Sequence, residues 1–307
     1  GNMAKKFASC IKTLDDTKLL GISSSSFFKR KKFGYRFNVK NKYQFKNNED
    51  IFKCNQIDNV YISTLNNSHY ELILKAIESG KNILCEKPMT INYNQALEIE
   101  KKLRNSKVFF MEAIAYRSHP QIELVIKKLK DNIIGEVKEI HSTFGFDVKK
   151  VDKKDRLFNS ELGGGAILDV GCYPVSMSNL IANLNNKKNE MIPRIKEVSG
   201  SFYETGVDEI AYASLNYENG ITAKIGVAIK REMENQTIIL GTKGKMIISN
   251  PWLPSGETFI EIYIDGKHSK FSIKSELDIF SYQILKVNKS IKENNLEAGY
   301  PSMSWKN

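Results

Sequence analysis

The chain has 307 residues, 41% hydrophobic and 26% charged, which is enough to bury two ordinary cores. No window approaches the roughly 18 consecutive apolar residues of a membrane span, and the first residues lack the basic-then-apolar plan of a secretory leader, so no membrane partner and a cytoplasmic location are expected. The net charge of +11 is scattered through a sequence also rich in Asn and Ile, a composition bias more than a nucleic-acid patch.

The elements of the first hundred residues alternate between short apolar runs and amphipathic stretches, the pattern of parallel strands joined by helices. MAKKFASCIKTL sets Met3, Phe7, Cys10, Ile11 and Leu14 on one helical face, and KLLGISSS then reads as a strand. The basic run KRKKFGYR at 29–36 follows, as a solvated helix face, as cations for a cofactor phosphate or, least favoured, as a nucleic-acid contact. Next come the strand NVYISTL, the helix HYELILKAIESG stopped by Gly80, the strand NILCE, a helix over about 93–104 and the strand VFFMEA. This is a doubly wound α/β order. The chain opens on a helix start, GNMAKKF, so that in a G-x-G-x-x-G/A fingerprint Gly1 would be the second glycine and Ala4 the small third position; the strand and glycine before them are expected to be missing from this sequence.

Beyond about residue 118 the texture changes. A helix, HPQIELVIKKLK, precedes the strand EVKEIHSTFGF, a glycine-rich turn, another helix and a series of strands. In ITAKIGVAI, Ile221, Ala223, Ile225, Val227 and Ile229 alternate with Thr222, Lys224, Gly226 and Ala228, which predicts a sheet buried mainly on one side. ENG at 218–220, TKG at 242–244 and DG at 265–266 supply hairpin turns. Leu277, Phe280, Ile284, Val287 and Ile291 mark a last amphipathic helix. Two domains are expected, 1–118 with a parallel sheet and 119–307 with an α+β fold around a large, mostly antiparallel open sheet. The four cysteines, Cys10, Cys54, Cys85 and Cys172, form no CxxC pair and have no spaced histidines, so they read as reduced packing residues with no metal site.

Three segments, STLNNSHYELILKAIESGKNILCEKP (63–88), MEAIAYRSHPQ (111–121) and RLFNSELGGGAILDVGCYPV (156–175), together resemble the Gfo/Idh/MocA family of NAD(P)-dependent oxidoreductases. Tyr173 in the D-x-G-x-Y stretch points to the branch with dimeric dihydrodiol dehydrogenase, glucose-fructose oxidoreductase and xylose dehydrogenases. The resemblance implies an N-terminal Rossmann domain that binds NADP or NAD, and a C-terminal domain that binds a sugar, polyol or dihydrodiol and pairs into a homodimer through its sheet. It also implies a final helix that is expected to be lacking after YPSMSWKN.

Ligands of an open α/β sheet bind beyond the carboxyl ends of its strands, where NILC leads into Glu86, Lys87 and Pro88. Proline restricts the residue before it and supports a cis bond, which in the resembling family aims this lysine. A dehydrogenase must move a hydroxyl proton while hydride leaves the same carbon, and Tyr173 is the expected acid/base. A phenol titrates near 10, and one positive neighbour at about 4 Å is worth about 4 kcal/mol, so Lys87 is the expected partner. Asp169, four residues before Tyr173, faces the same cleft if the stretch is helical and is implied to hold a substrate hydroxyl; Arg156 reaches the substrate or pairs with an acid. Expected cofactor residues are Gly1, Asn2 and Met3 as backbone donors at a helix start, with Thr64, Leu65, Asn66 and His69 matching the family's T-P-N-x-x-H stretch. Leu65 replaces its proline. Glu86 and Lys87 are expected at the nicotinamide ribose, and Tyr116 with Arg117 at the cofactor or as hinge packing. Where NAD enzymes carry an acid at the end of the second strand, this sequence has Ser24 and Ser25 with Lys29 and Arg30 nearby, so NADP is the favoured cofactor.

Overall fold

The structure is a computed structural model and describes residues 1–186 and 190–305. It contains two compact units, Gly1–Ala113 with Phe280–Trp305, and Ile114–Ile279. The sequence pattern places the boundary at 118 and everything after it in the second domain. The boundary falls after Ala113 instead, and residues 280–305 belong to the first unit; the last two residues of the expected second domain lie outside the described residues. An amphipathic pattern tells that a helix face is buried but not against which neighbour.

In the first unit, α1 (Asn2–Ile11) buries Phe7, Ala8, Cys10 and Ile11, the expected face. The strand read in KLLGISSS shrinks to β1 (Ile22–Ser23), which leads into α2 (Phe27–Arg36). Two elements absent from the sequence reading follow, β2 (Gln44–Phe45), paired in parallel with β1, and α3 (Asn48–Phe52). Then come β3 (Asn59–Ile62), α4 (His69–Glu78), β4 (Asn82–Cys85), α5 (Tyr93–Arg104) and β5 (Phe110–Glu112), with β3, β4 and β5 parallel in that order. Gly80, at φ 64°, ends the α4 region where only glycine is unstrained. Ile62, Ile73, Ala76, Ile83, Cys85, Ile99 and Leu103 form the core between sheet and helices.

The second unit opens on α6 (Pro120–Lys130), with proline in its first turn and His119 as its cap, and continues into β6 (Val137–Gly145). A loop and a π turn over Ile167–Gly171 lead into α7 (Cys172–Ala182). The strands β7 (Arg194–Phe202), β8 (Asp208–Asn216), β9 (Thr222–Ala228), β10 (Gln236–Gly241), β11 (Gly244–Ser249), β12 (Glu257–Ile264) and β13 (Lys267–Lys274) complete an eight-stranded sheet of order β13-β12-β11-β10-β6-β9-β8-β7. Every neighbouring pair is antiparallel except β6 with β9. Asp265 and Gly266 both take positive φ, the two-residue turn that DG predicts. α7 packs on β6 and β9, and α6 on β12. Beyond Ile279, α8 (Ile279–Lys292) is tied to the first unit through Asn288 and Lys292, which both bond Asp16. The fold is therefore a Rossmann-like α/β unit and an α+β unit with a large open sheet. Among the described residues no helix is long and apolar enough to cross a membrane, and no group of three or more His, Cys, Asp or Glu is placed to hold a metal ion.

Candidate functional site

The residues expected to carry chemistry fall into two sets, one in each unit. In the first, β3 and β4 end side by side, as parallel strands of one sheet must, and the amide of Glu86 bonds the carbonyl of Ile62 at 2.8 Å. The Lys87–Pro88 bond beyond them is cis. Glu86 is buried and accepts the hydroxyl of Tyr61, whose ring stacks on Phe7 at 3.8 Å. The amide of Met89 is held by Glu112 Oε1 at 2.8 Å. His69 opens α4, is fully buried, and its Nδ1 lies 2.8 Å from the Pro88 carbonyl, so the ring joins the loop after β3 to the loop after β4. A carbonyl can only accept, so Nδ1 carries the proton in the neutral ring. Burial holds the imidazole below its usual pKa, against the pull of the Pro88 and Thr64 carbonyls. His69 thus opens α4 and turns its Nδ1 to the Pro88 carbonyl. Asn66 is buried in the same loop, Ser68 Oγ lies 2.7 Å from Thr64 Oγ1, and Leu65 stands at φ −77°, ψ 148°, with φ in the range a proline would impose.

At the start of α1 no side chain caps the helix, leaving amides of the first turn open, and nothing lies within 4 Å of where a Gly1 Cβ would stand. Lys5 and Lys29 stand near Gly1. Open amides, a helix dipole and two cations fit a dinucleotide pyrophosphate. The serines after β1 are fixed from below. Ser24 donates its amide to Phe45, and its carbonyl accepts a guanidinium N–H of Arg30, which is itself buried; Ser25 and Lys29 stay exposed. Of the two cations read beside these serines, Lys29 faces outward and Arg30 holds the loop. No acidic residue stands at this strand end, which suits a ribose 2′-phosphate.

In the second unit, Tyr116 and Arg117 are buried at 1% and 2% exposure, and both turn to Ser176 on α7. Tyr116 Oη lies 2.9 Å and Arg117 Nε 2.7 Å from Ser176 Oγ, and Arg117 also donates to the Ser176 carbonyl. These bonds tie the pair to α7. Burial pushes the Tyr116 phenol up, with the Arg117 charge opposing. Tyr173, 8% exposed, sits among Phe144 edge-on at 5.2 Å, Trp252 at 6.1 Å and Tyr116 at 6.3 Å. Trp252 is locked by its indole N–H on the Thr143 carbonyl at 2.9 Å.

The stretch between Asp169 and Tyr173, whose helicity is the condition for a shared cleft, is not a regular α-helix throughout. Residues Ile167–Gly171 form a π turn, which bonds i to i+5 and opens the spacing before α7 begins. Asp169, 6% exposed, points to Arg156, whose Nη1 is 2.8 Å from its Oδ1. Arg156, read as meeting either substrate or an acid, pairs with the very carboxylate read as a substrate contact. Sequence reasoning missed Ser176, Trp252, Phe144 and Tyr61. Ser176 carries a faint signal, three residues after Tyr173 on one helix; the others depend on contacts between distant segments.

Comparison with known proteins agrees with this geometry. A family model described as an oxidoreductase family with an NAD-binding Rossmann fold matches residues 1–114, and one described as the GFO/IDH/MocA C-terminal domain matches residues 122–247. The trans-1,2-dihydrobenzene-1,2-diol dehydrogenase of Xenopus tropicalis is 33% identical over 276 residues, covering 89% of this chain and 79% of the relative; the Homo sapiens enzyme of that name is 26% identical, covering 89% and 78%. Among solved structures, a 3-ketoreductase from Actinomadura kijaniata in complex with NADP and TDP-benzene superposes with a TM-score of 0.85 at 21% identity, over 96% of this chain and 88% of that one. An aldose-aldose oxidoreductase from Caulobacter crescentus complexed with glycerol gives 0.85 at 20% identity, over 97% and 88%. The resemblance carried by the three segments therefore holds over both units, and the chain belongs to the Gfo/Idh/MocA family of NAD(P)-dependent oxidoreductases.

Proposed function

We propose that the chain transfers a hydride between nicotinamide, NADP in preference to NAD, and a CH–OH carbon of a sugar, polyol or trans-dihydrodiol. The nicotinamide accepts or donates the hydride when bound. Tyr173 takes or returns the hydroxyl proton. Lys87 supplies the positive charge that a phenol needs to act as a base near neutral pH. Asp169, oriented by Arg156, accepts a hydrogen bond from a substrate hydroxyl. The dihydrodiol class is suggested by the name of the frog and human relatives, and a vicinal diol offers one hydroxyl to Tyr173 and a second to Asp169.

The observation that carries this reading is the company Tyr173 keeps. A phenol enclosed by Phe144, Trp252 and Tyr116 follows directly on the turn that bears an ion-paired carboxylate, which is an apolar wall beside a hydroxyl-binding group. The test is reduction of NADP followed at 340 nm with trans-1,2-dihydrobenzene-1,2-diol and with aldoses. Turnover is expected with at least one of them, falling about 10²–10⁴-fold in Tyr173→Phe while NADPH still raises the melting temperature. No turnover with any of them, beside undiminished stabilisation by NADPH, would make the protein a dinucleotide-binding sensor. We further propose a homodimer through the open sheet, supported by Ile195, Val198 and Phe202 standing 69%, 71% and 77% exposed on β7.

A further inference from the structure

The helix start that bears Asp169 and leads into Tyr173 is held by a residue from a different strand. Asp208 opens β8, and its Oδ2 accepts the amide of Ile167 at 2.7 Å, the first residue of the π turn. Burial raises the pKa of this carboxylate, and the amides of Ile167, Asp208 itself and Ala166, which all draw on it, oppose that rise only in part. Donors at a helix start have no partner within the helix, and a carboxylate there satisfies them and complements the helix dipole.

The surroundings are shaped for this contact. The β7–β8 register shifts between Ser201 and Phe202, with Phe202 opposite Asp208, and such irregularities re-aim a side chain. Gly165 sits at φ 106°, and a Cβ on it would strike Asp208 Oδ1, so the glycine leaves room for the carboxylate. The carbonyl of Gly165 in turn accepts the amide of Asp169 at 3.0 Å. Val207, beside Asp208, packs in one apolar cluster with Phe158, Ala166 and Val170.

We infer that Asp208 is a positioning residue for the proposed reaction, anchoring the amides of Ala166 and Ile167 and thereby fixing where Asp169 and Tyr173 point. The inference rests on the reading that those two groups act on the substrate. It is tested in the full chain with NADP and trans-1,2-dihydrobenzene-1,2-diol, or whichever aldose turns over, beside hydrogen exchange read peptide by peptide. Asp208→Ala is expected to lower kcat about tenfold or more, leave the Kd for NADPH within about twofold, and speed exchange over residues 166–172 above the rest of the chain. Asp208→Asn keeps one acceptor oxygen and should recover most of both losses. If the alanine variant does not fold, Asp208→Asn decides by exchange, with a smaller acceleration confined to 166–172. A folded Asp208→Ala with kcat within about twofold of the parent, or unchanged exchange over 166–172 in whichever variant folds, would overturn the inference. Full activity in Tyr173→Phe would instead overturn the reading beneath it, whatever the exchange shows.

Discussion

Arg156 and Asp169 form an ion pair of 2.8 Å in which the carboxylate is buried and the guanidinium is 44% exposed. The pair lies between the surface and buried limits, so breaking it should cost about 1–2 kcal/mol of stability, above an exposed pair and below a fully buried one. Arg156→Leu should therefore lower the denaturant midpoint and raise KM for the hydroxylated substrate several-fold, with kcat less affected. Arg156→Lys should restore only part of this, because an ammonium lacks the planar fork. Equal KM values in parent and leucine variant would remove Arg156 from substrate recognition.

His119 predicts a pH dependence of stability. Its Nδ1 caps α6 by accepting the Gln121 amide at 3.1 Å, the ring is fully buried, and burial brings its pKa from 6.5 down to about 4. Between those values the unfolded chain holds a proton that the folded chain does not, so stability should fall as pH drops from about 6.5 to about 4. His69, lowered by burial as well, adds to the same limb. His119→Asn keeps a capping oxygen without the titration. Urea unfolding at several pH values should show a shallower acid slope in the variant, by up to about 1.4 kcal/mol per pH unit, and identical slopes would rule out His119 as the source.

Much of the fold was legible because its signals are local. The one-face pattern of MAKKFASCIKTL, the stop at Gly80, the DG turn and the strand NILC each depend on neighbours a few residues away, and each appears in the structure. What was not legible depends on partners far along the chain. β2 is two residues long, too short for any periodicity, and exists because Ile22 and Ser23 offer it a ladder. The bond from Arg30 Nη1 to the Ser24 carbonyl ties α2 to the loop before it, and no spacing in the basic run announces it. Asp208 lies forty-one residues from the amide it holds, so no pattern around Tyr173 announces it.

Gly164 illustrates a glycine required by close approach. A Cβ there would come within 2.6 Å of the Leu157 carbonyl oxygen, 2.7 Å of that of Arg156 and 2.8 Å of that of Asn159, all backbone atoms that cannot swing aside. Gly164→Ala should therefore destabilise the protein by about 1–3 kcal/mol and displace the segment that carries Arg156. The expected outcome is a lower thermal midpoint together with the raised KM of Arg156→Leu. A variant with parental stability would mean that the 156–164 segment relaxes freely.

Leu65 offers the opposite case, a substitution that should strengthen the chain. Its backbone already lies at φ −77°, ψ 148°, within the range to which a proline ring locks φ. The bonds of the loop run to its carbonyl, which accepts the Ser68 amide at 3.0 Å and the Ser68 hydroxyl at 2.8 Å, and proline keeps that carbonyl. The side chain is 44% exposed, so little packing is lost. Leu65→Pro narrows the unfolded ensemble without straining the folded one and should stabilise the protein by about 0.4–1 kcal/mol. Because Thr64 and Asn66 keep their places, NADPH affinity should stay within about twofold. Chemical denaturation of the two forms checks the first expectation and fluorescence titration the second. A loss of stability would show that Thr64, which a following proline restricts, needs a backbone conformation that the ring forbids.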